Sequence, residues 1–180
     1  MQPHSGQLTQ QDKSAERPGA GTQTAALVVL LATSYLVAGL GALATVGNVE
    51  GWYATADKAP WSPPNSVFGP VWTVLYTAMA VAAWLVWRKR APGTKRALAA
   101  YGIQLALNLA WTPVFFGLYP AIGTAALWSA LVIILALIAA VSVTVLYFGP
   151  ISRMAGLLLL PYISWLVFAA TLNWWAAVHN

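Results

Sequence analysis

Five long apolar stretches decide what this chain can become. About Ala25–Val46, Val67–Trp87, Ala97–Gly117, Ala121–Phe148 and Met154–Val178 each supply the roughly 20 residues a helix needs to cross the hydrocarbon core. Inside a bilayer every backbone N–H and C=O must be paired within the protein, which leaves only helices or closed barrels. The stretches are too long and too uniformly apolar for barrel strands, whose residues alternate between lipid and lumen. Only 7% of the 180 residues are charged, against about 25% in ordinary soluble domains. The expected fold is therefore all-α: a polytopic membrane protein, with one bundle of five transmembrane helices over residues 25–180. A polar tail rich in Gln, Ser, Thr and Gly, residues 1–24, precedes it and reads as disordered. The first stretch, with Ala42-Leu43-Ala44 near its end, imitates a signal peptide, but it exceeds the usual signal core of about 7–15 residues and reads as a retained span.

Charge sets the expected topology. Five basic residues stand within Arg88–Arg96, between the second and third spans. If that loop is cytoplasmic, Lys13, Arg17 and Arg153 fall on the same side and only Lys58 falls outside. The positive-inside rule then places the N-terminus in the cytoplasm, with a bacterial inner membrane as the expected location. A nucleic-acid role for the basic run is disfavoured because a short interhelical loop offers no groove-reading element.

The most informative segment is Trp52 to Tyr76. Its first part, Trp52–Asn65, mixes aromatics with Asp57 and Lys58 and carries Pro60, Pro63 and Pro64, so it reads as a shaped loop. Trp52, Tyr53 and Trp61 suit the membrane–water boundary. Phe68-Gly69-Pro70 reads as the start of the next helix, since proline is tolerated in a first turn. Trp72 and Tyr76, four apart, share a face of it.

The third span has two faces. At 100° per residue, Gly102, Ala106 and Ala110 lie opposite Gln104, Asn108, Trp111 and Phe115. The small face suits close packing against another helix or a second subunit. Pro113 is expected to kink the helix or end its regular bonding early. The fourth span reads as a packing helix. In the fifth, which is expected to follow a short Gly149–Arg153 loop and contains Pro161, Trp165, Phe168, Ala169 and Leu172 recur on one face. Asn173-Trp174-Trp175 reads as an interfacial belt. Ala38, Gly41 and Ala42 suit the first helix for close packing.

Several chemistries are disfavoured. No acidic or basic residue lies inside the five stretches, which argues against ion-driven pumping. There is no phosphate-binding glycine motif, no Cys for disulfide or thiolate chemistry, and no nucleophile–base set within a span. The two histidines, His4 and His179, lie at the ends of the chain and cannot ligate a buried haem from both sides. No metal site and no required cofactor are expected. What remains is a set of neutral groups, Trp72, Tyr76, Gln104, Asn108, Trp111 and Trp165. From the residues alone two readings stay open: a pocket for a flat, largely apolar ligand with a few acceptors, or polar glue between helices.

Three segments narrow the choice by resemblance. Trp52-Tyr53, Lys58-Ala59-Pro60-Trp61-Ser62-Pro63-Pro64 and Phe68-Gly69-Pro70-Val71-Trp72-Thr73-Val74-Leu75-Tyr76 resemble the first signature of the TspO/MBR family of tryptophan-rich sensory and translocator proteins. Gln104–Trp111 and Leu160–Trp165 with Phe168-Ala169 are similar to its second and third. The resemblance runs from about Val46 to the C-terminus and implies a five-helix, often dimeric membrane protein that binds porphyrins such as protoporphyrin IX, with the lipid bilayer as its medium. By motif, Trp72 and Asn108 match polar anchors of the ligand pocket. Tyr76, Trp111, Trp165, Ala169 and Leu172 match its walls, and Trp52, Tyr53, Asp57, Lys58, Pro60 and Trp61 belong to its lid. The resemblance also implies a role in sensing tetrapyrrole and oxidative stress, or passive carriage of porphyrin or sterol. Light-dependent porphyrin degradation is reported for some members, with Trp72 and Trp165 as candidate reacting residues here, so enzymatic activity stays an open expectation. The family's cholesterol-recognition pattern lacks its tyrosine and its cation in Ala170–His179. A homodimer through Gly102, Ala106 and Ala110 is the expected assembly.

Overall fold

The computed structural model describes residues 18–43 and 45–180. Lys13, Arg17 and most of the polar tail lie outside them. Among the described residues eight α-helices follow in order: α1 Ala20–Leu43, α2 Val46–Val49, α3 Trp52–Thr55, α4 Asn65–Trp87, α5 Thr94–Thr112, α6 Tyr119–Ile122, α7 Thr124–Ile151 and α8 Arg153–His179. A π-helical turn, Pro113–Gly117, continues α5. Five of these elements are long and apolar enough to cross a membrane. At 1.5 Å per residue, their 23 to 28 residues give about 34–42 Å, enough for a core of about 30 Å.

The helix ends differ from the sequence reading for local reasons. Helix α1 begins five residues early, because its polar first turn is satisfied: Gln23 Nε2 donates to Pro18 O (2.7 Å), Thr24 Oγ1 to Ala20 O (3.1 Å), and Trp84 Nε1 reaches Gln23 O (3.0 Å). It ends where the Thr45 hydroxyl donates to the carbonyls of Gly41 and Ala42, freed at the helix terminus. Helix α4 starts at Asn65, so Pro70 lies inside it rather than at its first turn. Pro113 acts as expected: regular α bonding stops at Thr112, and Leu118 N instead reaches back five residues to Pro113 O (3.1 Å). Gly123, with φ +60 and ψ −141, separates α6 from α7.

The expected Gly149–Arg153 loop is not a loop. Helix α7 runs through Pro150 to Ile151, and Ser152 alone turns the chain, its side chain accepting from Ala155 N. Glycine makes this possible. A Cβ on Gly156 would stand 3.3 Å from the Cα of Gly149, so the two backbones approach as closely as small residues permit in membrane helices.

The long helices form a closed ring in the order α1, α4, α8, α7, α5 and back to α1, with α4 also meeting α5 across the centre. Alanines fill much of the interior, among them Ala80, Ala82, Ala83, Ala97, Ala126 and Ala155, all fully buried. Large aliphatic side chains such as Val28, Val29 and Leu36 on α1 and Val132, Leu135 and Leu146 on α7 point outward, where lipid replaces the water a soluble protein would meet. Both predicted faces of α5 are present: Gln104 and Asn108 are buried, whereas Gly102 and Ala106 are exposed on the outside of the bundle.

Candidate ligand cavity

The Phe115–Phe116 turn brings aromatic rings to one end of the bundle. Trp111 stacks on Phe115 (5.2 Å), and Trp52 stacks on Tyr119 (3.9 Å) while its Nε1 donates to Phe116 O (2.9 Å). The chain from α1 to α4 is thereby fastened to the α5–α7 connection. Trp61 fixes a second point, edge-on to Trp175 (5.3 Å) with Nε1 donating to Thr171 Oγ1 (3.2 Å). A third is the Asn180 side chain, which accepts from Asp57 N (2.8 Å) and donates to Asp57 O (3.1 Å).

Beneath this cover lies a cavity of about 400 Å³ between α1, α4 and α5. Its aromatic lining includes Tyr35, Tyr53, Phe68, Trp72, Tyr76, Trp111 and Phe116. Ala38, Gly41 and Ala42 leave the space on the α1 side. Their small size thus makes room for a cavity as well as for packing. Tyr35 is 42% exposed and donates to or accepts from Thr77 Oγ1 (2.7 Å), so the cavity reaches the lipid-facing surface between α1 and α4.

Asn108 is the polar centre. It is 4% exposed, accepts through Oδ1 from the Tyr76 hydroxyl and donates through Nδ2 to the Tyr162 hydroxyl (2.7 Å). A side-chain amide has two N–H groups, so one remains for a ligand. Among the described residues the Trp72 indole N–H meets no acceptor, and its ring packs against Tyr76 (5.4 Å) and Tyr162 (6.1 Å). Trp111 is different: its Nε1 already donates to Asn173 Oδ1 (3.1 Å), so it offers ring surface only.

The structure divides the sequence-derived set. Trp72, Tyr76, Asn108 and Trp111 come together on this cavity. Gln104 lies deeper, 1% exposed, with Nε2 on Met79 Sδ (3.6 Å) and Oε1 unpartnered. Trp165 and Phe168 line a separate open groove between α4 and α8, beside Pro70 and Pro161. Ala169 is buried in the core and Leu172 is half-buried, and neither reaches the cavity. The reason is ring order: α8 sits beside α4 and α7, and Tyr162 fills its inward face, turning Trp165 away. Trp72 and Trp111 therefore share a cavity that Trp165 does not line. Of the six lid residues only Tyr53 lines the cavity; Lys58 Nζ stands 4.8 Å from the centre of its ring. Burial pushes the Tyr53 phenol up, with the nearby Ser62 hydroxyl acting weakly the other way, so it stays neutral at physiological pH. Trp52, Asp57 and Trp61 hold the cover in place from outside, and Pro60 is exposed in the turn that Ser62 N closes on Ala59 O (2.8 Å).

Sequence reasoning misses Tyr35, Thr112 and Phe116. Tyr35 carries a faint signal, because with Ala38 and Ala42 it recurs at i, i+3 and i+7 on α1. Asn173, expected in an interfacial belt, is instead 1% exposed and inward-facing, and besides Trp111 it binds Leu127 O (2.9 Å).

A ring of membrane-crossing helices enclosing a neutral, aromatic cavity defines the class: an α-helical, multi-pass integral membrane protein. The TspO/MBR family model matches residues 26–178. The chain is 40% identical over 134 residues to the translocator protein of Homo sapiens, covering 72% of this chain and 76% of that one. To the tryptophan-rich protein TspO of Archaeoglobus fulgidus it is 38% identical, covering 74% and 82%, and to the tryptophan-rich sensory protein of Cereibacter sphaeroides 37%, covering 80% and 88%. The chain belongs to the TspO/MBR family.

Proposed function

We propose that this protein binds a porphyrin of the protoporphyrin IX type in the α1–α4–α5 cavity and acts as a membrane sensor or regulator of tetrapyrrole and oxidative stress. The observation that carries the reading is the lining itself: aromatic walls, with one unused indole N–H at Trp72 and one spare amide N–H at Asn108. Flat aromatic faces suit a macrocycle, and the two donors suit its nitrogen or carboxylate acceptors. A volume of about 400 Å³ lies within the usual range for ligand pockets, about 300–1,000 Å³, and the opening beside Tyr35 accommodates a projecting edge. The name of the Cereibacter sphaeroides relative, a sensory protein, agrees with this reading.

Titration of the detergent-solubilised protein with protoporphyrin IX in the dark, followed by tryptophan fluorescence, tests it. Saturable quenching is expected, weakened roughly tenfold in Trp72→Ala, where the loss of one stacked ring removes about 1.4 kcal/mol. Trp165→Phe is expected to bind like the wild type. Linear quenching indifferent to Trp72 would refute the site. Under light and dioxygen, any loss of bound pigment should depend on Trp72 and not on Trp165.

The opening between α1 and α4 favours a second reading, a passive carrier of porphyrin or sterol, in keeping with the name of the human relative. Porphyrin flux in sealed proteoliposomes no faster than in protein-free ones would remove it. The proposal includes a homodimer across the exposed Gly102/Ala106 face, with Ala110, and a cytoplasmic basic end. Among the described residues, Arg88, Lys89, Arg90, Lys95, Arg96 and Arg153 cluster at one end of the bundle, and Glu50, Asp57 and Lys58 lie at the other. The chain has no Cys. Single cysteines at Gly102 and Lys89 therefore report both features, by disulfide trapping across the face and by labelling with an impermeant reagent from the cytoplasmic side alone.

A further inference from the structure

The α4–α5 connection holds a cluster of cations that the cavity does not use. Residues Arg88 to Gly93 turn the chain, with Arg90 at φ +52 and Gly93 at φ +88, both in the left-handed region. These turns fold the loop back over the start of α5, so that Arg90, Lys95 and Arg96 wall one pocket of about 690 Å³ with Trp87, Pro92 and Leu98. Helix α5 opens without a side-chain cap, and among the described residues no backbone carbonyl accepts from Lys95 N or Arg96 N. Such free N–H groups at a positive helix end are suited to an anion.

A second observation points the same way. The Thr94 hydroxyl lines this pocket, its oxygen is fully buried, and it has no hydrogen-bond partner among the described residues. Lys89, Arg90, Lys95 and Arg96 are exposed, and the described carboxylates, Glu50 and Asp57, lie at the opposite end. Among the described residues no carboxylate stands near the cluster to neutralise it. Arg88 and Arg90 lie over the rings of Trp84 (4.5 Å) and Trp87 (5.0 Å), an arrangement that suits the layer where these two spans leave the hydrocarbon.

We propose that this pocket seats the phosphate of an anionic phospholipid from the adjoining leaflet. The phosphate lies at the α5 N-terminus, receiving bonds from the Lys95 and Arg96 N–H groups and the Thr94 hydroxyl. Arg90, Lys95 and Arg96 balance its charge, and the glycerol backbone and first methylenes rest on Trp87 and Leu98. Topology alone needs only positive charge in this loop. It does not require a pocket with an unpartnered hydroxyl at a helix start.

The test uses the full chain in neutral detergent, titrated with phosphatidylglycerol or phosphatidylcholine and read by native mass spectrometry. Phosphatidylglycerol is expected to bind about tenfold more tightly at about 0.05 M salt, with the preference collapsing at about 0.5 M as screening shortens the reach of the charges. R90Q/K95Q/R96Q is expected to lose roughly 100-fold, about fivefold per charge. T94V keeps every charge and is expected to weaken phosphatidylglycerol selectively. Equal binding of the two lipids, a preference insensitive to salt, or full retention in both variants would overturn the proposal. Displacement of the lipid by millimolar inorganic phosphate would also overturn it, in favour of a free-anion site. Should the triple variant fail to insert, the wild-type salt dependence and T94V decide the question.

Discussion

Asn108→Ala is expected to destabilise the bundle by about 2–3 kcal/mol and to weaken porphyrin binding with it. The amide satisfies two hydroxyls from two other helices, Tyr76 on α4 and Tyr162 on α8. Tyr76 is 5% exposed and Tyr162 is fully buried, so water cannot replace the lost partner. An orphaned buried hydroxyl costs about 1–3 kcal/mol. Interhelical hydrogen bonds in membranes average nearer 0.6 kcal/mol, reaching about 1.7, which argues for the lower part of the summed range. Unfolding by a graded denaturing detergent measures the loss. Adding Tyr76→Phe and Tyr162→Phe to the Asn108→Ala background should cost less than the separate substitutions predict, because the orphaned hydroxyls are then gone. Strict additivity would show that the three side chains do not act as one chain.

The second large effect is expected at Asn173. Its amide holds three helices: Oδ1 accepts from Trp111 on α5 and Nδ2 donates to Leu127 O on α7, with Asn173 itself on α8. Asn173→Ala leaves the half-buried Trp111 indole N–H without an acceptor and frees a ring of the cavity wall. A cost of about 2 kcal/mol is expected, together with weaker porphyrin binding, because Trp111 loses the bond that orients it. The pair should show a coupling of at least about 0.5 kcal/mol in a double-mutant cycle with Trp111→Phe. Trp165→Phe is the contrasting case. The Trp165 indole N–H is buried without a partner among the described residues, so its removal relieves a cost, and the variant should be as stable as the wild type or more so. A stability loss of more than about 1 kcal/mol from Trp165→Phe would mean that its N–H meets a partner the protein geometry does not show.

Part of the candidate site is legible in the sequence because its signals are local. Trp72 and Tyr76 stand four apart and Asn108 and Trp111 three apart, and such spacings place side chains on one helical face whatever surrounds them. Pro113 ends the regular α5 bonding because a missing N–H acts within its own turn. The helix starts are less legible. Ala20–Thr24 and Asn65–Ser66 are polar enough to resemble loop, and their helical state depends on partners elsewhere, Trp84 for one.

That the chain is all-α and crosses the membrane several times follows from the order of its residues alone. Length and apolarity are sums over consecutive residues, and hydrocarbon permits no unpaired backbone. The side of α5 that turns inward follows in the same way, because two amides avoid lipid wherever their neighbours stand. The packed bundle was needed to show that α1 rather than α8 completes the cavity wall. Trp165 faces an outer groove for the same reason, and Asn173, expected at the interface, instead locks Trp111. A helical period fixes which residues share a face but not which neighbour that face meets. That assignment depends on ring order, and ring order depends on pairwise fits such as Gly149 against Gly156 between residues that belong to different helices.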